Sequence, residues 1–262
     1  MAEAKKDSEI LMEKAAHQKS IILLRGLGRD ARHWGEFPKK LAAMLPSYKI
    51  CTIDLPGTGE YYDIKSPLSV NKMTEFLHKE SVKKGYILKD TYIIGLSLGG
   101  MVATQWALNY PNSIKKIILV NSSFSNFSRF YNRLSASVYW DFIKMFFMSP
   151  EQREVCVLKI VSSNKDQYKE VSQNWKHLWK EKPFKVSTII RQLVAASLFS
   201  LKKLPKQKVL FLASKKDNLV SPVCYKDVES KTPWTVIYNE NTGHEMPMDD
   251  PDWVINKISE FV

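Results

Sequence analysis

Short apolar runs alternate along the chain with longer segments whose apolar positions recur every three or four residues. The short runs are rich in Ile, Leu and Val and end at Gly, Pro or polar residues, which predicts buried strands. They lie at residues 20–25, 49–54, 92–95, 116–121, 208–213 and 235–238. Helical spacing is found at 37–45, 69–84, 101–109, 222–230 and 252–262, the last with Asp249 or Asp250 as its N-cap. Strands separated by helices predict an α/β fold with a mostly parallel sheet of about six strands, covered on both faces.

This alternation is interrupted between residues 122 and 204, where the sequence shows helical patterns and no convincing strand. We interpret the interruption as an inserted helical cap. The predicted domains are therefore an α/β core formed by 1–121 and 205–262, and a cap formed by 122–204. The cap segment is dense in Phe, Tyr and Trp.

Composition favours a soluble protein without a targeting signal. Hydrophobic residues make up 44% and charged residues 25% of 262 positions, which is ordinary for a large globular domain. No run approaches the ~18 apolar residues of a membrane span. The first 19 residues alternate in charge and do not resemble a signal peptide. Three widely spaced cysteines without a C-x-x-C motif are typical of free thiols, so we expect a cytoplasmic protein.

The net charge of +12 is concentrated in one segment. Residues 121–204 carry fourteen Lys and Arg against six Asp and Glu, a net charge of +8. Such a segment can attract anionic partners, although a solvated lysine-rich surface is the simpler explanation. No helix-turn-helix, zinc-finger or RNA-binding signature accompanies the charge, so we expect no nucleic-acid partner. No His, Cys and Asp cluster has metal-ligand spacing, so we expect no metal or cofactor.

The third predicted strand ends in Gly95-Leu96-Ser97-Leu98-Gly99, and a helical pattern follows. This fits G-x-S-x-G, in which a strained turn exposes a nucleophilic serine above the end of a strand. Alone the motif is weak, since three fixed residues occur by chance in roughly one chain in ten. Its place between an apolar strand and a helix makes Ser97 the predicted nucleophile.

Two further side chains follow the ends of later strands. Asp217 comes after the fifth strand and His244 after the sixth, and parallel strands deliver functional groups at their carboxyl ends. A serine hydroxyl needs a base with a pKa near neutrality, and a carboxylate orients that imidazole. The order Ser97, Asp217, His244 therefore predicts a catalytic triad. The remaining histidines follow no strand end and are interpreted as structural or exposed: His17, His33, His78 and His177.

A developing oxyanion requires hydrogen-bond donors, which backbone N–H groups supply. We expect one from Leu98, directly after the nucleophile. The second is predicted at Leu27, because Gly26 and Gly28 allow the loop after the first strand to turn inward. Alternatively, these glycines serve only a strand-to-helix turn.

Taken together, these motifs resemble those of the α/β-hydrolase superfamily, in its branch of small capped esterases. Residues 54–59 (Asp-Leu-Pro-Gly-Thr-Gly) are similar to the family's D-x-P-G-x-G loop. The G-x-S-x-G turn at 95–99, called the elbow below, also matches, as do Asp217 and Gly243-His244. The resemblance extends over residues 20–262 apart from the cap. It implies an acyl-enzyme mechanism with Ser97 as nucleophile, His244 as base and Asp217 as its partner.

The chain departs from the family pattern in two places. Arg25 stands where the family usually has a histidine. It could hold the loop by other hydrogen bonds or place a positive charge near a substrate carboxylate. The family's usual two N-terminal strands would have to fit into 19 charged residues, and we expect them to be absent.

The substrate is less well defined by the sequence. We expect a carboxylesterase acting on a small or acyl ester, with Phe124 and Trp140 of the cap in the pocket wall, although packing explains such rings equally. A basic aromatic cap suits an acyl chain on an acidic acyl carrier protein, which resembles the pimeloyl-[acyl-carrier-protein] methyl ester esterases. The alternatives are a thioesterase, lactonase, C–C hydrolase or cofactor-free haloperoxidase. A non-catalytic module is disfavoured by the complete triad.

Overall fold

The computed structural model describes residues 18–145, 147–183 and 185–262. Its sheet has six strands in the order β2-β1-β3-β4-β5-β6, and all neighbouring pairs are parallel. The strands are β1 (Lys19–Leu24), β2 (Tyr48–Ile53), β3 (Asp90–Leu96), β4 (Lys116–Val120), β5 (Lys208–Ser214) and β6 (Thr235–Asn239). The prediction of a parallel sheet of about six strands is confirmed.

Helices connect the strands. They are α1 (Phe37–Met44), α2 (Val70–Lys83), α3 (Leu98–Asn109), α4 (Phe130–Arg133), α5 (Ala136–Met145), α6 (Pro150–Val161), α7 (Tyr168–Glu181), α8 (Val186–Leu198), α9 (Val223–Lys231), α10 (Met246–Asp249) and α11 (Pro251–Phe261). The elbow helix α3 begins three residues earlier than predicted, directly after Ser97. Three predictions fall on residues 1–17, outside the described part of the chain: no additional strands, no signal peptide, and a non-catalytic His17.

Both faces of the sheet are buried, which explains why the strand sequences are continuously apolar rather than alternating. Along β1, Ile22 and Leu24 pack into a core with α2, α3 and α9. Ile21 and Leu23 point to the opposite face and pack with α1 and α11. Helix packing on both faces therefore holds the strands in place within the sheet.

Between β4 and β5 the described chain is helical, from α4 to α8. Helices α5 to α7 share an apolar cluster of their own, which includes Val138, Leu158 and Trp175. This agrees with the helical pattern predicted for the segment. The division into a core and a cap stays a prediction at this point.

No helix within the described residues combines the length and apolar character needed to cross a membrane. None of the three cysteines forms a disulfide; Cys51 and Cys224 are buried and Cys156 is half-buried. Burial raises the pKa of the Cys224 thiol to about 11.

Candidate active site

Ser97 sits at a sharp turn between β3 and α3. Its backbone lies at φ 55° and ψ −116°, a region that costs a non-glycine residue about 1–3 kcal/mol. The flanking glycines are required by close backbone contacts. A Cβ atom on Gly95 would lie 2.4 Å from the Gly99 carbonyl oxygen, and one on Gly99 would lie 2.4 Å from the Leu24 carbonyl oxygen. The strain is therefore maintained by packing that only glycine permits.

Two hydrogen bonds hold the serine backbone in this geometry. The Ser97 N–H donates to the Val120 carbonyl over 2.8 Å, and the Ser122 hydroxyl donates to the Ser97 carbonyl over 2.9 Å. Both partners belong to the end of β4 and the residues after it. Ser122 is not predictable from sequence, because nothing in its local pattern indicates a contact with a turn 25 positions earlier.

Asp217 and His244 meet at the carboxyl edge of the sheet, as their positions after β5 and β6 predict. The His244 Nδ1 atom lies 2.6 Å from Asp217 Oδ2, and both side chains are buried. Burial alone would lower the pKa of His244. The charge of Asp217 and its hydrogen bond outweigh that effect and raise the pKa above its ordinary value. The arrangement stabilises an imidazolium and directs the other ring nitrogen away from Asp217.

The Asp217 carboxylate has three further donors. Its Oδ1 atom accepts hydrogen bonds from the Leu219 and Val220 N–H groups, both over 2.9 Å. Its Oδ2 atom, besides contacting His244, accepts a hydrogen bond from the Tyr225 hydroxyl. Burial and the nearby Asp217 charge raise the pKa of Tyr225 well above its usual value, so this phenol remains a donor. Sequence reasoning missed Tyr225, which lies within an ordinary amphipathic helix.

The loop that carries His244 is held by Asn121 and Asp249. Asn121 is fully buried at φ 48°, and its Nδ2 group donates to the His244 carbonyl over 2.9 Å. Asp249 Oδ2 accepts a hydrogen bond from the Gly243 N–H over 2.7 Å. Asp250 is the residue that caps α11, through the Trp253 N–H at 3.2 Å. Of the two predicted caps, Asp250 therefore has that role and Asp249 fixes the histidine loop.

Ser97 and His244 line one cavity of about 270 Å³, near the lower end of the range for small-molecule sites. The loop after β1 contributes Leu27, and α5 to α8 contribute half of the lining residues. The wall residues from these helices are Met145, Arg153, Glu154, Val157, Ile160, Val161, Trp179, Val186 and Ile189. The lining is predominantly apolar around a few polar groups, as is usual for ligand sites.

Of the two backbone positions predicted to donate to an oxyanion, Leu98 directly follows Ser97 and Leu27 lines the same cavity as Ser97. Leu98 is the first residue of α3, where N–H groups have no acceptor within the helix. Leu27 lines the cavity, and the neighbouring Gly28 N–H donates to Gln192 Oε1 of α8 over 2.9 Å. The loop after β1 is thereby tied to a helix across the cavity.

Arg25 does not line the cavity. It is 2% exposed, and its Nη2 atom lies 2.7 and 2.8 Å from the two carboxylate oxygens of Glu245. Its guanidinium also lies 4.7 Å from the centre of the Trp34 ring. Of the two roles considered, holding the loop by other hydrogen bonds agrees with this placement, and contact with substrate does not.

The two aromatic residues predicted to contact substrate also lie elsewhere, which corrects that prediction. Phe124 is fully buried and packs against Phe127 and Trp234 in the core beside the sheet. Trp140 is 69% exposed on α5 and is not part of the cavity wall. Core packing thus accounts for Phe124, and a position on the outer face accounts for Trp140. The ring of Trp179 does line the cavity.

The loop at 54–59 does not line the cavity and is held by its own local contacts. Asp54 accepts hydrogen bonds from the Ala31 N–H over 2.6 Å and the Glu60 N–H over 2.8 Å. Gly59 lies at φ 52°, and a Cβ atom there would lie 2.0 Å from Asp54 Oδ2. Burial raises the pKa of Asp54. The aspartate and the glycine of this motif therefore have a local structural cause.

Fold and site together define a class of proteins. Its members have a parallel sheet with helices on both faces, a serine at the elbow between a strand and a helix, and an Asp–His pair after later strands. The sequence model described as the alpha/beta hydrolase family matches residues 21–257. The chain belongs to the alpha/beta hydrolase family.

Individual relatives agree with this assignment. The pimeloyl-[acyl-carrier protein] methyl ester esterase of Pectobacterium atrosepticum is 32% identical over 110 residues, which cover 42% of this chain and 39% of the relative. The match thus spans about two fifths of that relative's length.

Solved structures match over most of the chain and show the shared fold. An esterase from Exiguobacterium antarcticum has a TM-score of 0.75 at 14% identity, covering 94% of this chain and 92% of its own. The meta-cleavage product hydrolase CumD from Pseudomonas fluorescens also has a TM-score of 0.75, at 17% identity, covering 94% and 91%.

Proposed function

We propose that this protein is a serine hydrolase that cleaves a carboxylic ester through an acyl-enzyme intermediate. The observation that carries the proposal is the placement of Ser97 and His244 in one cavity, with Asp217 Oδ2 2.6 Å from His244 Nδ1. Membership of the family and the similarity to an esterase support it further.

In the proposed reaction, Ser97 Oγ attacks the ester carbonyl and its proton passes to His244 Nε2. Asp217 holds the neutral ring in the tautomer protonated at Nδ1 and stabilises the imidazolium that forms. The N–H groups of Leu27 and Leu98 would donate to the oxyanion of the tetrahedral intermediate. Collapse of that intermediate expels the alcohol, which takes the proton from His244. Water then attacks the acyl-enzyme with His244 again as base, which releases the acid and frees Ser97.

We also propose that residues 122–204 act as a cap on this site. Helices from this segment line the same cavity as the elbow serine. A cap that shields the cavity from bulk solvent strengthens the electrostatic interactions of the triad.

Labelling with a fluorophosphonate probe tests the nucleophile. The parent protein should be labelled at Ser97 and should hydrolyse p-nitrophenyl esters, and Ser97→Ala should lose both properties. Ser230→Ala is the matched control, because it removes a serine hydroxyl at an exposed position of α9 and should keep both the labelling and the hydrolysis. Labelling that persists in Ser97→Ala would exclude this mechanism.

A narrower candidate is hydrolysis of an acyl ester carried by an acyl carrier protein. The similarity to the pimeloyl-[acyl-carrier protein] methyl ester esterase and the net charge of +8 over residues 121–204 favour it. An acidic carrier would be attracted to such a segment. Rescue of a biotin auxotroph lacking its own esterase, lost in Ser97→Ala, would support this candidate. A failure to rescue, with p-nitrophenyl ester hydrolysis intact, would leave a general esterase.

A further inference from the structure

Two buried ion pairs account for most of the charged side chains in the described cavity wall. Arg29 Nη1 lies 2.7 Å from Glu154 Oε2, and both side chains are buried. Glu245, also in the wall, is held by both its oxygens on Arg25. Each of these carboxylates is thus neutralised by a guanidinium within hydrogen-bond distance. Neither pair leaves a net charge facing the cavity.

Arg153 of α6 differs from these paired groups. This half-buried side chain lines the cavity, and its Nε–H donates to the Met145 carbonyl over 2.6 Å. Among the side chains that the structure describes, no carboxylate forms an ion pair with it. This hydrogen bond uses only the Nε–H group, and among the described residues no acceptor bonds the two Nη groups, whose donors remain for another partner.

The surroundings of Arg153 make an anion the favoured partner. Apolar side chains dominate the same wall, among them Val157 and Ile160. A guanidinium in a site of reduced dielectric gains more from a carboxylate than it would in water, and its fork geometry suits both carboxylate oxygens. A neutral ester chain would leave this charge partly desolvated and without compensation.

We propose that Arg153 binds a carboxylate carried by the substrate, so that the preferred substrates are esters whose short apolar chain ends in a carboxylate. The proposal deepens the esterase function proposed above and rests on it. The carboxylate could belong to the acyl part or to the alcohol part of the ester. A carboxylate in either part would bind the guanidinium in the same way, and two sets of substrates distinguish the two positions.

Hydrolysis is compared in two arms, each with a neutral ester of matched size. The acyl arm sets monomethyl succinate, glutarate and adipate against methyl butanoate, pentanoate and hexanoate. The alcohol arm sets the acetyl ester of 4-hydroxybenzoate against the acetyl ester of 4-methylphenol. In at least one arm, the parent should prefer the anionic ester in kcat/KM, and Arg153→Gln should reduce the anionic-to-neutral ratio by roughly 10- to 100-fold.

Two further variants separate a specific contact from general electrostatics. Arg153→Lys keeps the charge and loses the fork, so it should retain part of the preference. Arg129→Gln removes a fully exposed positive charge from the same helical segment, outside the cavity wall, and should leave the ratio unchanged. A ratio that falls equally in Arg129→Gln and Arg153→Gln would overturn the proposal.

Binding keeps the two proposals distinguishable. Calorimetry in the Ser97→Ala background should give tighter binding of the preferred anionic ester than of its neutral match, and Arg153→Gln added to that background should abolish the difference. This result would support the anion site even if the parent hydrolysed no ester, in which case the proposed function alone would fail. Equal affinity for both ligands, or a preference that survives Arg153→Gln, would refute the anion site whatever the hydrolysis results.

Discussion

Arg25 and Glu245 form a buried ion pair that joins the loop after β1 to the residue next to His244. Both carboxylate oxygens of Glu245 lie within 2.8 Å of Arg25 Nη2, although the two residues are 220 positions apart. The loop after β1 carries Leu27, and the loop after β6 carries the proposed base. This ion pair thus links the loop that carries the predicted oxyanion donor to the loop that carries the imidazole.

The first prediction concerns the stability of this pair. Glu245→Gln should lower the free energy of unfolding by about 3–5 kcal/mol, because it leaves the buried charge of Arg25 without a counter-ion. Arg25→Met should lower the free energy of unfolding by a similar amount, because it leaves the buried carboxylate of Glu245 without a counter-ion. The double variant Arg25→Met/Glu245→Met should recover most of the loss, since two apolar side chains of similar size replace a desolvated pair. Urea denaturation measures all three, and additive losses in the double variant would contradict the pairing argument.

The second prediction concerns pH dependence. The charge of Asp217 raises the pKa of His244, and a general base works only when it is deprotonated. The acid limb of kcat/KM in the parent should therefore lie above the ordinary histidine value of 6.5. In Asp217→Asn, burial still disfavours the charged ring but the attraction is gone, so the acid limb should move to lower pH. The rate should fall by about 10⁴-fold, because the imidazole is no longer held in the productive tautomer.

The pH profile of kcat/KM with a p-nitrophenyl ester provides the measurement. An acid limb that stays in place in Asp217→Asn would show that another group controls it. The stability of the variant, followed by its thermal unfolding, separates a lost charge from a lost fold.

The third prediction assigns Tyr225 a positioning role. Its hydroxyl donates to the same Asp217 oxygen that contacts His244, and so withdraws negative charge from that oxygen. Tyr225→Phe should therefore raise the pKa of His244 and shift the acid limb upward, opposite to Asp217→Asn. Loss of a hydrogen bond to a charged group should reduce kcat/KM by about tenfold.

Tyr238→Phe is the matched control, since its hydroxyl bonds to Glu229 at an exposed site over 2.9 Å. It should change neither the rate nor the pH profile. If Tyr225→Phe lowered activity without moving the acid limb, its role would be packing rather than control of the carboxylate.

Local sequence patterns were sufficient for the sheet and for the placement of Ser97, Asp217 and His244 after the ends of its strands. Parallel strands bring their carboxyl ends to one edge, so Ser97, Asp217 and His244 could be located by asking which side chains follow strand ends. The glycine pattern of the elbow likewise has a local cause. These features depend on backbone geometry, which short motifs encode.

The supporting contacts could not be predicted in the same way. Asn121, Tyr225 and Glu245 act through hydrogen bonds to residues distant in sequence, and no local spacing distinguishes them from ordinary polar or helical positions. The high density of aromatic residues in 122–204 predicted that some of them line the pocket. It did not indicate that Phe124 is buried and Trp140 exposed. Which face of a helix meets a cavity depends on how the helices pack, and this is a tertiary property.

The last prediction tests the close approach between the elbow and the loop after β1. A Cβ atom on Gly99 would lie 2.4 Å from the Leu24 carbonyl oxygen and 2.7 Å from that of Arg25, and neither backbone atom can move without displacing the end of β1. Gly99→Ala should therefore cost about 3 kcal/mol of stability and should also lower kcat, because the loop that carries Leu27 is pushed away from Ser97.

Gly35→Ala is the control for backbone strain without a clash. Gly35 lies at φ 54°, and a Cβ atom there would meet none of the described residues within 4 Å. This variant should cost about 1–3 kcal/mol through backbone strain alone and leave kcat intact. Urea denaturation and p-nitrophenyl ester hydrolysis are measured on both variants. Suppose that Gly99→Ala and Gly35→Ala lose the same stability and that kcat is unchanged in Gly99→Ala. The elbow and the loop after β1 would then move independently of each other. The Arg25–Glu245 pair would be the contact that holds this loop near His244.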